Sequence, residues 1–543
     1  MAALLALIGC RSIVTTVARD LHLNLGLEPA TIDPALATDP ESQQVSRMLF
    51  LSLVDLDPVN GTPQHALATS WAVSADGLIW EFRLRNDAVW VRYIPATEKT
   101  EIKRPVTAQD VVYSVRRVFD PRTGSGFAPF MAPLVRGADQ LRAADPKKTT
   151  DAVFQQLIAN LGVQAVDDTT VRFTLTRPAS YFPSVVGTWL VRVQPKEAVE
   201  AGGSVWTEPG TIWTNGPYML ESWRHGVDLV LQKNQNWYDA GLVHIEHIRF
   251  TMIADTASAL DEFERGNLDS LDPYGGLTPT DVDRLREDPL MGKNLKIVPT
   301  LCTHYYGFNT AKAPFNDPVV RKAFAAAVDR ETLATSVVKL GEPSRWFTRP
   351  GVVASMEISE TLGIPFNANV GRDLLRQAGY DKKRLGTMTL AVNTDNTNEL
   401  IAETVVQMWK NNLGAEVSVK TLDWKTYQQT LRDDPPQIFR LGWCGYYPDA
   451  ANYAGSVFVA GSPDNHTRWT SPVFDQNVAA AARENDLTKR TALYRAAEKL
   501  LVEDNAVVIP LWWSTRATLT HPNIQRTYAI TDGYERLETW SFQ

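Results

Sequence analysis

Between Arg440 and Tyr453 the chain gathers a guanidinium (Arg440), four aromatic rings (Trp443, Tyr446, Tyr447, Tyr453), Cys444 and the carboxylate of Asp449 around a Gly and Pro bend. A guanidinium offers a rigid fork of donors to a carboxylate, flat rings make pocket walls, and Gly and Pro turn the backbone between them. That chemistry suits the wall of a polar ligand's site. The plainer alternative is an apolar strand running into a surface loop with one buried cysteine.

Bond-breaking chemistry has no comparable signal. The chain holds no His-Glu-x-x-His, no Cys-x-x-Cys, no Gly-x-Ser-x-Gly and no glycine-rich loop ending in Lys-Ser or Lys-Thr. Its eight histidines are scattered; His22, His65, His225 and His521 sit in strand or loop settings. Only His244 and His247 stand three apart, a weak metal-ligand spacing. The expectation is a binding protein without catalytic residues, metal or cofactor.

The elements that must position the candidate site are readable from periodicity. Leu21 to Leu25 alternates apolar and polar residues and reads as a strand, ended by the turn signals at Pro29 and Pro34. Glu41 to Val54 reads as a helix with Val45, Met48, Leu49 and Leu53 on one side behind an acidic start. Trp80 to Arg85 alternates strictly after the Asp76-Gly77 turn, which predicts a hairpin, and Thr107 to Phe119 carries a capping pattern ahead of a valine stripe. Asp57 to Pro63 is a turn, and the polar run Thr97 to Arg104 is expected to join two elements of one small domain.

Further on, short strands are expected at Asp228 to Leu231 and Ile245 to Ile253, and a helix at Ala257 to Arg265 that stops at Gly266-Asn267. Cys302 to Phe308 is an aromatic strand. Helices are predicted over Pro318 to Val328, Glu331 to Leu340, Ile401 to Leu413 and Lys489 to Leu501, and a last strand over Val507 to Trp513. This alternation of strands and helices indicates an α/β architecture.

At 543 residues the chain exceeds what one core serves, so two or three domains are expected. With 44% hydrophobic and 21% charged residues and a formal charge of -8, it reads as globular, and it has no basic excess to hold nucleic acid. Its 16 tryptophans serve a ligand cleft as well as a core. The apolar run Met1 to Gly9 falls well short of the about 20 residues that span a bilayer, and reads as the end of an export signal.

The stretch from Arg440 resembles the Gly-Trp-Cys-x-Asp-Tyr segment of oligopeptide-binding proteins, the extracytoplasmic solute-binding receptors of bacterial ABC importers. The likeness continues through Pro40-Glu41-Ser42, Ala68 to Trp71 with Asp76-Gly77, Pro105 to Ser114, Thr214 to Tyr218, Leu301 to Tyr306, Ala313 to Arg321 and Asp423 to Thr426. So many segments in order over most of the chain do not arise by chance.

That resemblance implies a bilobal, periplasmic-binding-protein-like α/β fold with a hinge between the lobes and an extra small peripheral domain. The expected division is a lead at 1–19, lobe I at 20–54, 190–301 and 514–543, the peripheral domain at 55–189, and lobe II at 302–513. It implies a peptide ligand, delivery to ABC permease subunits, a monomer, and no enzyme activity. Leu7-Ile8-Gly9-Cys10 resembles a lipobox, which implies a periplasmic or cell-surface protein lipid-anchored through Cys10. Cys302 and Cys444, matching a cysteine pair of the family, are expected to form a disulfide, two buried thiols being the alternative.

By position, Glu41, Tyr305, Asn398, Trp424, Arg440, Trp443, Tyr446 and Asp449 inherit ligand-binding places. Arg440 is the expected carboxylate partner, for the ligand or for Glu41, and the aromatic residues are pocket walls. Glu41 is equally readable as a first-turn helix acid. The departures are as informative. Tyr446 stands where the family keeps the aspartate that pairs with a peptide's α-ammonium, and losing such a pair costs about 3–5 kcal/mol. Asp449 is a possible substitute. Asn398 replaces a histidine and Ser336 falls in a lysine region. The expected ligand is therefore an N-blocked, modified or longer peptide; a non-peptide solute such as a nickel chelate, glycan or opine, and a signalling or structural lipoprotein, are the alternatives.

Overall fold

A computed structural model describes residues 19–271, 277–531 and 535–543. Cys10 and nearly all of the 1–19 lead lie outside them. One mixed sheet, eleven-stranded among the described residues, runs through the molecule. Its first arm orders Tyr218–Arg224, Asp228–Lys233, His247–Thr251, Leu21–Asn24 and Ser270–Leu271. The second arm orders Ile438–Cys444, Thr387–Asn393 and Glu416–Leu422. Between them lie Val508–Thr520 and Leu295–Phe308, antiparallel partners that belong to both arms.

Each arm carries its own core. Parallel strands cannot be joined by a tight turn, so Thr387–Asn393 and Glu416–Leu422 are linked by the helix Asn396–Leu413. That helix buries Val405 and Trp409 against Phe324, and the Trp409 indole donates to the Phe324 carbonyl at 3.0 Å. Because side chains alternate across a strand, Tyr306 joins this cluster while Tyr305 enters the opposite one, with Phe439, Tyr453 and Trp513.

The two lobes are joined by strands. Leu295↔Leu519 and its neighbours lie in the first arm, and Gly307↔Val508 lies in the second. Register shifts fall between Pro299 and Thr303 and between His304 and Tyr305, at the crossing itself. Bulges of this kind bend a strand and sharpen its twist. The aromatic strand expected at 302–308 thus begins earlier, at Leu295, and the last strand runs on to Thr520.

The Asp39 carboxylate caps the helix Pro40–Leu49 by accepting from the Ser42 amide at 2.7 Å. It ends at Leu49, short of the expected Val54, because Asn215 and Gly216 amides take the Leu49 carbonyl and the Asn215 side chain takes the Leu51 amide. A Cβ at Gly216 would sit 2.6 Å from the Met48 carbonyl oxygen, so only glycine permits that approach.

A four-stranded antiparallel sheet, Ala68–Val73, Ile79–Leu84, Thr170–Thr174 and Val163–Asp167, forms a unit with the helix Ala108–Phe119, and its core runs on into that of the first arm. The polar run at 97–104, read as a connection, is instead most of the strand Lys99–Pro105, paired with Val89–Ile94. Its charges serve a solvated ribbon, with Glu101 bridging Arg92 and Lys103, so no apolar alternation marks it.

Cys302 faces Cys444 in register and the two are bonded. A cross-link spanning 142 residues of sequence removes, in the chain-entropy treatment, about 5 kcal/mol of denatured-state freedom. Mapping of unreduced peptides is expected to recover both cysteines in one linked fragment, and replacing both by serine should lower the thermal midpoint by several degrees. Free thiols in protein made in an oxidising compartment would contradict the pairing.

Candidate functional site

The register of Leu295–Phe308 on Ile438–Cys444 assembles the centre of the site. With Cys302 opposite Cys444, Thr303 meets Trp443, His304 meets Gly442 and Tyr306 meets Arg440. Arg440, Gly442, His304 and Tyr306 therefore share one face, and the Arg440 Nη2 lies 2.9 Å from His304 Nδ1. The other ring nitrogen, Nε2, is 2.9 Å from Ser514 Oγ on the second crossing strand. The imidazole is stacked on Trp512 at 4.5 Å and 13°.

Burial, together with the Arg440 charge, pushes the His304 imidazole down to about 3, so it is neutral. Burial also lowers Arg440. Among the described residues no carboxylate forms an ion pair with it, and its Nε, like the Tyr306 hydroxyl, is buried without a hydrogen-bond partner. The backbone beneath is fixed by Tyr427, whose hydroxyl donates to the Arg440 carbonyl at 2.6 Å and accepts from the Arg440 amide at 3.0 Å.

The loop after Cys444 packs against the four-stranded unit. Tyr446 lies 5.2 Å from the Phe130 ring, 5.7 Å from Phe127 and 6.0 Å from Trp443. Tyr447 is buried and stacks on Tyr181 at 5.8 Å. Pro448 fills the space over Gly61, whose φ of +71° and lack of a Cβ both require glycine. Asn452 ties the loop together: its side chain accepts from the Tyr446 amide at 2.9 Å and its carbonyl from the Trp443 indole at 2.6 Å.

Asp449, considered as a substitute acid, has a different partner. It is fully buried, ion-paired with Arg490, and accepts from the Ala451 amide at 2.9 Å. Burial pushes its carboxyl up against the pull of Arg490. Burial opposes the Arg490 charge in turn, but Asp449 and Tyr494 hold it above its ordinary value. The carboxylate that acts on the Tyr446 phenol is Asp464, which adds to burial in raising it.

The other expected residues divide. Trp424 is 56% exposed at the first turn of the helix Trp424–Asp433, with its ring toward Tyr427. Trp443 and Asn398 are half-buried, Asn398 donating to the Asn393 side chain at 3.3 Å. Tyr305, expected as a pocket wall, is 2% exposed and packed between Phe347 and Phe458, because odd-numbered residues of its strand face the other core. Glu41 is half-buried, raised by burial and influenced by Asp39, not by Arg440; the expected Glu41–Arg440 pair does not form. A broad hollow of about 1140 Å³ beside the same helix, lined by Lys312, Lys420, Lys425 and Arg432, contains none of the expected residues.

His304, Ser514, Phe127 and Phe130 were not anticipated. The histidine had a signal: once Cys302 is placed against Cys444, antiparallel pairing puts residue 304 opposite 442 and diagonal to 440. The phenylalanines had none, since they come from a segment with no periodic pattern.

The profile of the bacterial extracellular solute-binding proteins, family 5, matches residues 62–464. The chain belongs to this family, whose structures have two lobes around a cleft. The periplasmic oligopeptide-binding protein OppA of Salmonella typhimurium is 30% identical over 504 residues, covering 92% of this chain and 88% of that protein. The periplasmic murein peptide-binding protein MppA of Escherichia coli is 32% identical, covering 91% and 88%. The unliganded open form of MppA superposes with a TM-score of 0.85 at 28% identity, covering 96% and 97%. A second structure of MppA superposes with a TM-score of 0.67 at 28% identity, covering 96% and 98%.

The Asp449–Arg490 pair makes a testable claim. Arg490→Leu should destabilise the protein by about 3–5 kcal/mol by leaving a buried carboxylate uncompensated, and adding Asp449→Asn should recover part of the loss. An unchanged thermal midpoint in Arg490→Leu would show that Asp449 does not depend on this partner.

Proposed function

We propose that the protein is an extracytoplasmic receptor that closes over an oligopeptide and presents it to an ABC permease, working as a monomer anchored through Cys10. The observation that carries the reading is Arg440, a buried guanidinium whose partner is a neutral ring and whose Nε is unused. A cation left in that condition calls for an anionic acceptor, and a peptide's terminal carboxylate supplies one. Trp424, Trp443 and Asn398 on lobe II and Glu41 on lobe I supply the remaining contacts, and main-chain hydrogen bonds to an extended ligand supply side-chain-independent affinity.

The amino end is read from Tyr446. A phenol set against Phe127, Phe130 and Trp443 offers ring surface and one hydroxyl where an ion pair would otherwise form. Peptides with a blocked, modified or internal amino end fit that wall. A second reading, an apolar solute bearing one carboxylate, draws on the ring wall around Tyr446 and on the Arg440 guanidinium. The probable deoxycholate-binding periplasmic protein YgiS of Escherichia coli, 28% identical, adds to it.

Calorimetric titration of a tetrapeptide library in free-amine and N-acetylated forms tests the peptide reading. The two forms should bind within about tenfold of each other, and Tyr446→Asp should shift preference toward the free amine by on the order of 2–5 kcal/mol, less where water enters. A hundredfold preference for the free amine in the unaltered protein, about 3 kcal/mol, would defeat it; Asp464→Asn would then show whether that acid is the anchor. Arg440→Ala should weaken binding by at least about tenfold without unfolding the protein.

A further inference from the structure

The partner of Arg440 is the unusual part of this site. A guanidinium can be aimed by a carboxylate, which also cancels its charge, or by a neutral acceptor, which does not. Here the acceptor is the His304 Nδ1 at 2.9 Å. The Nδ1 lone pair faces the guanidinium, so the ring proton sits on Nε2 and is donated to Ser514 Oγ, also at 2.9 Å. Both contacts fit one neutral tautomer.

Three further features keep the ring where it is. Trp512, its cross-strand partner, lies parallel beneath it at 4.5 Å. Gly442, the partner on the other side, leaves the space: a Cβ there would approach His304 Nδ1 to 3.2 Å. Ser514 belongs to Val508–Thr520, so one imidazole ties Arg440 to both strands that cross between the lobes. The nearby acid Asp395 is occupied as the cap of Asn396–Leu413, accepting from the Asn398 amide at 2.9 Å.

We propose that His304 is a positioning residue for the receptor's carboxylate subsite: its imidazole aims the Arg440 guanidinium and leaves that charge unneutralised for the ligand. This rests on the reading of Arg440 as the ligand's carboxylate partner. His304 does not touch the ligand. It fixes the direction of the guanidinium and thereby the discrimination between a carboxylate and its neutral analogue.

The test is a tripeptide library with free carboxyl termini against the same library with terminal amides, titrated against four proteins. The unaltered protein should prefer the carboxylate form by about tenfold or more, and Arg440→Gln should bring the ratio near one. His304→Phe keeps a ring on Trp512 but accepts nothing from Arg440, and should reduce the preference to about threefold or less. His304→Gln, with an amide oxygen for Arg440 and an amide N–H for Ser514, should restore most of it. A loss of packing alone would lower both affinities together and leave the ratio unchanged.

Outcomes separate the two claims. An unchanged ratio in Arg440→Gln overturns the carboxylate reading and this inference with it. A ratio lost in Arg440→Gln but kept in His304→Phe overturns the role of His304 alone. Should neither library bind, the crystal structure of His304→Phe decides: a guanidinium that keeps its place overturns the proposal, and one that swings away supports it.

Discussion

The antiparallel register of Leu295–Phe308 on Ile438–Cys444 is the constraint on which the site depends. A slip of Ile438–Cys444 by one residue would turn each of its side chains to the opposite face, sending Arg440 into the Tyr305 core. The Cys302–Cys444 bond stands at one end of this pairing and Phe308↔Ile438 at the other, inside an apolar cluster. Between those two fixed points the placement of Arg440 beside His304 follows from strand geometry.

Much of this was legible in the sequence, because the segments that resemble the family are those that carry tertiary constraints. Gly216 lies in one of them and lets its chain close the end of the helix Pro40–Leu49; the cysteines lie in two others. What failed has a physical cause in each case. Tyr305 was assigned to the cleft by position, yet neighbouring residues of a strand face opposite ways, and only the pairing tells which of Tyr305 and Tyr306 lies near Arg440. The strand Lys99–Pro105 was missed because none of its own residues is buried, so it shows no alternation. The length of a crossing strand is likewise set by a partner distant in sequence.

Charge is distributed on a consistent plan. Asp449 is buried against Arg490, Asp55 against Arg47, and Glu498 accepts from the Phe347 and Thr348 amides, so each of these three carboxylates has a partner within the protein. Arg330, buried without an acid, donates to the carbonyls of Pro510, Ala325 and Val328. Arg440 differs, since its side-chain partner is a neutral ring. An uncompensated buried cation lowers stability, and such a cost is tolerated where it serves binding.

The two ends of the candidate site differ in how far they are already built. The aromatic wall around Tyr446 is assembled: the loop holding it is packed on Phe127, Phe130 and Tyr181 of the four-stranded unit and closed over Gly61 by Pro448. Arg440 is aimed within its own lobe. Glu41, on the helix Pro40–Leu49, stands apart from both, under the influence of Asp39. A ligand can shift the equilibrium between open and closed forms only by the contacts that differ between them. On the receptor reading proposed above, Tyr446 and Arg440 would hold the ligand from surfaces already assembled, and closure would be driven by contacts that form only when the lobes meet. Selection at the ligand ends and commitment to closure would then fall to different residues.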